Sequence, residues 1–291
     1  MWKSYLLAAR PKTLPAAIVP VWVGCVLVWQ LTDRIDWVLA GFTVVGALCI
    51  QIATNLFNDA VDAEKGADTE GRLGPRRVTA GGLLSRRAVY GGAVLFLGLA
   101  CLASLPLIEA RGWPIIAIGL PSLYLSYGYT GGPVPLAYLG LGELFVILFF
   151  GLVAVEGTHF VQTGEWGWEA LVLGIQVGLL SAVLIAINNL RDVEEDRGSG
   201  KRTLAVRFGP RVVQNLVLLM VVTAFLLTIC GTFYGARWFF PLSLPWFFLG
   251  LWVVRAVRRS EPGPAYNLYL ALAALQLVLF AVSLTVAGAI S

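Results

Sequence analysis

Long apolar runs, each cut by a charged or glycine- and proline-rich break, organise this chain from end to end. A bilayer core of about 30 Å takes roughly 20 apolar residues of helix. By that measure the runs divide into nine spans, near 14–32, 37–57, 88–108, 113–130, 137–156, 168–190, 212–232, 238–254 and 266–289. The pattern predicts an all-α polytopic membrane protein with nine transmembrane helices, folded as a single domain over residues 1–291. Little more than "EARGW" parts the third span from the fourth, which predicts a tight hairpin. The first apolar run is long enough to span and lacks a small-residue cleavage site, so it reads as a retained helix rather than a signal peptide.

Composition agrees. Of 291 residues, 58% are hydrophobic and 13% charged, with mean hydropathy +0.80, where a soluble domain carries about 25% charged residues. A net charge of +4 would in a soluble protein direct attention to nucleic acid, but here the placement of charge matters more than its sum. With the N-terminus in the cytoplasm, nearly all Lys and Arg fall on the cytoplasmic side, leaving Arg34, Arg111 and Arg237 outside. That is the positive-inside bias, and it makes the bilayer the partner. Trp29, Trp37, Trp113, Trp166, Trp168 and Trp238 fall near the outer ends, as an interfacial belt requires. Cys25, Cys49, Cys101 and Cys230 are scattered singly through apolar stretches and read as small buried fillers. The lone histidine, His159, reads as an outer loop residue.

Two cytoplasmic loops, residues 58–87 and 189–211, interrupt this economy, and both carry clustered acids. In "NLFNDAVDAEKGAD", a helix continuing to about Asp62 places Asn55, Asn58, Asp59 and Asp62 at spacings of three and four. Gly66 then permits a turn that returns Asp68 toward them. In "NNLRDVEEDRGSGKRTL", Asn188, Asp192 and Asp196 are spaced by four and share one stripe of a helix. Two such oxygen sets facing each other suit Mg²⁺ shared with a substrate phosphate, since that ion takes a few carboxylates and keeps the rest of its shell for water and phosphoryl oxygen. Arg72, Arg76, Arg77, Arg191 and Lys201 stand by to neutralise the remaining anionic charge. Plain capping and topology would explain either cluster alone, but ionisable groups near the membrane interior are costly, and these recur in matched form four spans apart.

At these residues the chain resembles the UbiA superfamily of intramembrane aromatic prenyltransferases. Asn58, Asp59, Asp62 and Asp68 match its first aspartate-rich motif; Asn188, Asn189, Arg191, Asp192 and Asp196 match its second. The resemblance implies a bundle of nine helices around a central cavity, with Asn58, Asp59, Asp62, Asp68, Asp192 and Asp196 binding a prenyl diphosphate through Mg²⁺. "ARPKTLPAAIVPVWVG", "GADTEGRLGPRRVTAGGLLS", "YTGGPVPLAYLGLGELFVILFFG" and "INNLRDVEEDRGSGKRTLAVRFG" are most similar to the branch that prenylates 1,4-dihydroxy-2-naphthoate in menaquinone biosynthesis. That implies polyprenyl transfer from a polyprenyl diphosphate with loss of diphosphate and CO₂, at the cytoplasmic face of a bacterial inner membrane.

On this reading Asp62, Asp192, Asp196, Lys201 and Arg191 carry the chemistry. Lys12, Asn55, Asn58, Arg72, Tyr124, Tyr127, Glu143, Asn188 and Asn189 are candidates for holding donor or acceptor. For Lys12 topology is an equal explanation; Tyr129, beside Tyr124 and Tyr127 in "LYLSYGYTGG", is a further candidate to face the cation or the acceptor, and for these tyrosines helix packing is an equal explanation. Other branches would take 4-hydroxybenzoate, homogentisate or a chlorophyllide. A cation-coupled transporter would need binding residues in broken helices near the bilayer centre, whereas these acids sit at helix ends. The DG…AR…G…D…D pattern of CDP-alcohol phosphotransferases does not occur in this chain.

Overall fold

Each apolar run folds as a helix whose ends follow from its flanking residues. The computed structural model describes residues 2–66, 73–74 and 77–291, Lys12 by its backbone alone, and every regular element among them is helical. A short helix α1 (Trp2–Ala9) leads through a tight turn at Pro11–Thr13 into α2 (Pro15–Thr32). α3 (Trp37–Glu64) begins where the Asp36 carboxylate accepts the N–H groups of Val38 and Leu39, both at 3.0 Å. Such a cap satisfies amides that have no partner within the helix. α4 (Arg86–Arg111) is capped by Ser85 and is parted from α5 (Trp113–Gly128) by Gly112 alone. Gly112 has φ 73°, a value that only glycine adopts at little cost, and the expected hairpin forms there.

The order continues with α6 (Gly142–Thr163), α7 (Trp168–Arg191), α8 (Val193–Gly198), α9 (Leu204–Phe208) and α10 (Pro210–Tyr234). It ends with α11 (Phe239–Leu242), α12 (Leu244–Arg259) and α13 (Tyr266–Ala289). Among the described residues seven helices, α2, α3, α4, α6, α7, α10 and α13, are long and apolar enough to cross a membrane. α5 and α12 stand where the fourth and eighth spans were expected, but each has 16 residues, about 24 Å of rise. Two expected boundaries move for a plain reason. "TGGPVPLAYLG" breaks the helix, so the fifth element starts at Gly142 instead of residue 137 and runs on to Thr163. The second reaches Glu64, which carries its acids on regular helix.

Glycine lets two of the helices meet without side chains between them. A Cβ on Gly151 would lie 2.3 Å from the Gly174 carbonyl oxygen, and one on Gly178 would lie 2.7 Å from that of Ile147. α6 and α7 therefore meet backbone to backbone, as small residues permit in lipid, where packing replaces the hydrophobic effect as the glue. Residues Ile147–Val153 of α6 wind as a wide π turn over this contact. The seam brings the start of α6 beside the end of α7. Apolar clusters fill the remaining interior, one around Leu27, Leu173, Trp246 and Phe280 and another around Ile187, Val221, Val253 and Tyr266. Outward-facing Val94, Leu95, Leu102 and Leu120 are 61–63% exposed, an apolar exterior suited to lipid rather than water. Cys25 and Cys49 are buried fillers as expected, but Cys101 is exposed on α4 and Cys230 half-buried.

Candidate active site at two acidic helix ends

The last turns of α3 and the junction of α7 with α8 converge at one end of the bundle. Asn58 and Asp62, four residues apart, project from one face of α3. α7 ends at Arg191, and Asp192 is the hinge residue with φ −97°. Even so, the Asp192 N–H donates to the Asn188 carbonyl at 3.1 Å and the Asp196 N–H to the Asp192 carbonyl at 2.8 Å. The bend thus keeps the helical register across the second motif. Asn58, Asp62, Glu143, Asn188, Asn189, Asp192, Asp196 and Lys201 all line one cavity of ≈ 90 Å³.

Asp62, 3% exposed, is held by three other side chains. Its Oδ2 accepts from Arg77 at 3.0 Å and from Lys201 Nζ at 3.2 Å, while Oδ1 accepts from the Tyr138 hydroxyl at 3.0 Å. Lys201 Nζ also lies 4.0 Å from Asp196 Oδ1, so one cation stands between the two acidic helix ends. Asp192 is gripped by its own neighbour, with Arg191 Nε at 2.6 Å and Nη2 at 2.7 Å. The same guanidinium reaches Asn188 and Asn267, each at 2.9 Å. Asp62, Arg77, Arg191, Asp192 and Asp196 are buried and Lys201 is partly so, and a buried charge is tolerable only when paired and hydrogen-bonded.

Burial pushes the Asp196 carboxyl up to about 7; Lys201 opposes that rise, and the Asp192 and Asp62 carboxylates add to it. Burial also raises the Tyr129 phenol, helped by Glu143, Asp62 and Asp196. Desolvation lowers the Lys65 ammonium, against the attraction of Asp62. Lys65 Nζ donates to the Thr130 carbonyl at 2.8 Å and sits 3.8 Å over the Tyr138 ring. Glu143 accepts from Asn189 at 3.0 Å, which supplies the polar partner expected for a carboxylate just inside a span.

Several expected residues stand elsewhere. Asn55 donates to the Ala9 carbonyl at 2.9 Å and to Thr13 Oγ1 at 3.1 Å, fastening the link between α1 and α2 instead of lining the cavity. Asp59 accepts from the N–H groups of Val78 and Thr79 at 3.0 and 2.8 Å, so both its oxygens are already engaged away from the cavity. Tyr124 is 57% exposed, and Tyr127 packs edge-on against Phe57; neither lines the cavity. His159 is no loop residue: it lies buried on α6, with Nδ1 3.0 Å from the Glu165 carbonyl. Asp68, Arg72, Arg76 and the Lys12 side chain lie outside the described residues.

Sequence reasoning missed Arg10 and Thr130 on the cavity wall, and Tyr138 and Asn267 behind it. Thr130 hydrogen-bonds Asn58, which orients the amide at the cavity edge. Of the three tyrosines in "LYLSYGYTGG", Tyr129 lines the cavity: it follows Gly128, the last residue of α5, so it leaves the helix periodicity that Tyr124 and Tyr127 obey.

Among the described residues, no three His, Cys, Asp or Glu side chains stand close enough to hold a metal ion by themselves. The donors are instead oxygens divided between two helix ends. That set fits Mg²⁺, which is bound through one or two carboxylates plus phosphate oxygens rather than by an all-protein cage.

Comparison with known proteins accords with this geometry. A family model described as the UbiA prenyltransferase family matches residues 17–280. The chain is 34% identical to a 1,4-dihydroxy-2-naphthoate octaprenyltransferase of Mycobacterium leprae, covering 99% of this chain and 98% of that one. It is 30% identical to a 2-carboxy-1,4-naphthoquinone phytyltransferase of Synechocystis, over 84% and 80% of the two chains. Among solved structures, an apo UbiA homolog from Aeropyrum pernix K1 superposes with TM-score 0.73 at 18% identity, over 95% of this chain and 98% of that one. One from Archaeoglobus fulgidus bound to GPP and Mg²⁺ gives 0.68 at 15% identity, over 98% and 99%. At those identities the likeness is one of fold.

Proposed function

The chain belongs to the UbiA prenyltransferase family, and from that premise we propose that it transfers a polyprenyl group from its diphosphate to 1,4-dihydroxy-2-naphthoate. The observation that carries the reading is the meeting of Asp62 with Asp192 and Asp196 at one cavity, Lys201 between them. Asn58, Asp62, Asp192 and Asp196 would hold Mg²⁺, which when bound screens the carboxylates from the diphosphate and draws negative charge onto the leaving group.

The chain's own groups do the rest. Lys201, Arg77 and Arg10 place positive charge on the cavity wall where charge builds on the departing diphosphate, and fixed cations in a dry site act strongly there. The allylic C–O bond breaks with its electron pair leaving on diphosphate. The new C–C bond forms at the ring carbon that bears the carboxylate, and CO₂ leaves. Glu143, held by Asn189, is placed to accept an acceptor hydroxyl proton in a hydrogen bond. Tyr129, whose proton is held more tightly than usual, stays a neutral donor.

The donor's tail gives the site its setting. Each buried CH₂ is worth about 0.8 kcal/mol, so the tail stays in lipid while its diphosphate reaches the polar end of the bundle. We place that end in the cytoplasm of a bacterial inner membrane and count nine crossings, with α5 and α12 as the fourth and eighth. The positions of the basic residues support this.

The test uses the protein in lipid nanodiscs with Mg²⁺, radiolabelled polyprenyl diphosphate and one acceptor at a time. Transfer to 1,4-dihydroxy-2-naphthoate, with ¹⁴CO₂ released from carboxyl-labelled acceptor, is the expected result. Transfer only to 4-hydroxybenzoate, homogentisate or a chlorophyllide would overturn the acceptor assignment.

A further inference from the structure

We propose that Asp59 is a positioning residue: its carboxylate clamps the Val78–Thr79 backbone and thereby delivers Arg77 to the cavity beside Asp62. Asp59 is 1% exposed. Both its oxygens accept backbone N–H groups, from Val78 at 3.0 Å and Thr79 at 2.8 Å, across about 20 residues of chain. Val78, one of the two residues it holds, packs in a buried apolar cluster with Ala8, Leu56, Ala60, Val89 and Ala93. Charge-assisted hydrogen bonds in such surroundings are strong, and turning the carboxylate toward a metal ion would leave two buried amides unpaired.

What the clamp fixes is adjacent in sequence. Arg77, 8% exposed, precedes the clamped pair, donates to Asp62 Oδ2 at 3.0 Å and lines the cavity. The same stretch is tied again at Leu73, whose carbonyl accepts from Asn267 Nδ2 at 3.1 Å. Asn267 also takes a hydrogen bond from Arg191, the partner of Asp192. The segment is thus pinned at Val78–Thr79 to the first acidic helix end and at Leu73 to the support of the second. Asp59 contributes by placing a cation, and Asp62, three residues on, by facing the ligand.

The kinetic part of the test rests on the diphosphate chemistry proposed above, whereas the exchange and metal parts do not. Asp59→Asn places an amide N–H₂ against a backbone N–H and breaks the clamp. We expect amide hydrogen exchange at 77–79 to rise about tenfold or more as the local structure opens. Mn²⁺ affinity, read by electron paramagnetic resonance, should stay within about twofold, and the donor KM should rise about tenfold with a smaller change in kcat, as for loss of one charged contact in binding. Arg77→Ala should reproduce the KM change without raising Mn²⁺ Kd, and the double variant should be no worse than either single one, as for residues acting as a unit.

Thr79→Pro removes the shorter clamp bond but leaves the carboxylate, so it decides the matter should Asp59→Asn fail to fold. Positioning predicts the same rise in exchange at 77 and 78, proline having no amide hydrogen of its own, and the same KM change; a metal ligand predicts neither. Loss of Mn²⁺ affinity in Asp59→Asn equal to that in Asp62→Asn, or unchanged exchange at 77–79, would overturn the assignment. Absence of prenyl transfer in the unaltered protein would count against the proposed function and leave the exchange and metal outcomes to judge the clamp.

Discussion

The two acidic helix ends reach the same cavity by opposite means. Asp192 is held from within its own stretch of chain, by Arg191 beside it and by Asn188 one turn back, which the same guanidinium contacts. Asp62 is held entirely from elsewhere: Arg77, Tyr138 and Lys201 arrive from 15, 76 and 139 residues away. The second motif is thus largely preassembled by local sequence, while the first is completed only when three distant segments close over it. Loss of Asp62 removes the carboxylate that buried Arg77 and partly buried Lys201 both contact, and breaking a buried pair from one side costs about 3–5 kcal/mol. Asp62→Asn should therefore give the largest effect, a fall of about a thousandfold in prenyl-transfer rate, the upper range for removing one preorganised electrostatic group. A rate within tenfold of the unaltered protein would mean that the first helix end is not the reacting end.

Lys201 tests the bridge between the two. It is the one described cation within 4.0 Å of carboxylates on both sides, Asp62 and Asp196. Lys201→Met keeps the length of the side chain and removes the charge; we expect a loss of about a hundredfold in rate. Arg191→Lys sharpens the contrast further. Lysine keeps the charge but not the planar fork, so Asn267 and Asn188 lose their shared donor and the rate should fall about tenfold, roughly one charged hydrogen bond. If Arg191→Lys proved more damaging than Lys201→Met, the view of the second motif as self-sufficient would fail.

The helix ends carrying Asp62, Asp192 and Asp196 were legible because apolar runs and i,i+4 spacing are local properties of sequence. So was the hairpin at Gly112. The residues that complete the site were not, since Arg10, Tyr138 and Asn267 belong to segments whose approach is set by tertiary packing. Asp59 shows the limit most clearly. Its spacing from Asp62 places it near the ligand face, yet the backbone amides it accepts come from a segment that no periodicity could bring there. The count of long helices has the same origin: α5 stops at Gly128 because the glycines and prolines after it are incompatible with continuing helix, although the residues stay apolar.

The smallest effect concerns Asp196, and it separates burial from pairing at the second helix end. Its carboxyl is raised to about 7 from an ordinary 3.8, chiefly by burial. Below the ordinary value both folded and unfolded chains hold the proton. Above it the unfolded chain releases the proton first, so the folded state binds more protons and stability falls as pH rises; once pH passes the folded value, both are ionised and the slope vanishes. In detergent with a chelator present, the apparent melting temperature should drop by about 2–4 °C between pH 5 and 7, a change of order 1 kcal/mol for a chain of this size. Asp196→Asn cannot ionise and should remove that component of the drop, while Asp192→Asn, which removes a smaller contribution than burial, should keep most of it. An equal drop in the Asp196→Asn protein would assign the pH response to another group and leave Lys201 as a sufficient counter-ion for Asp196.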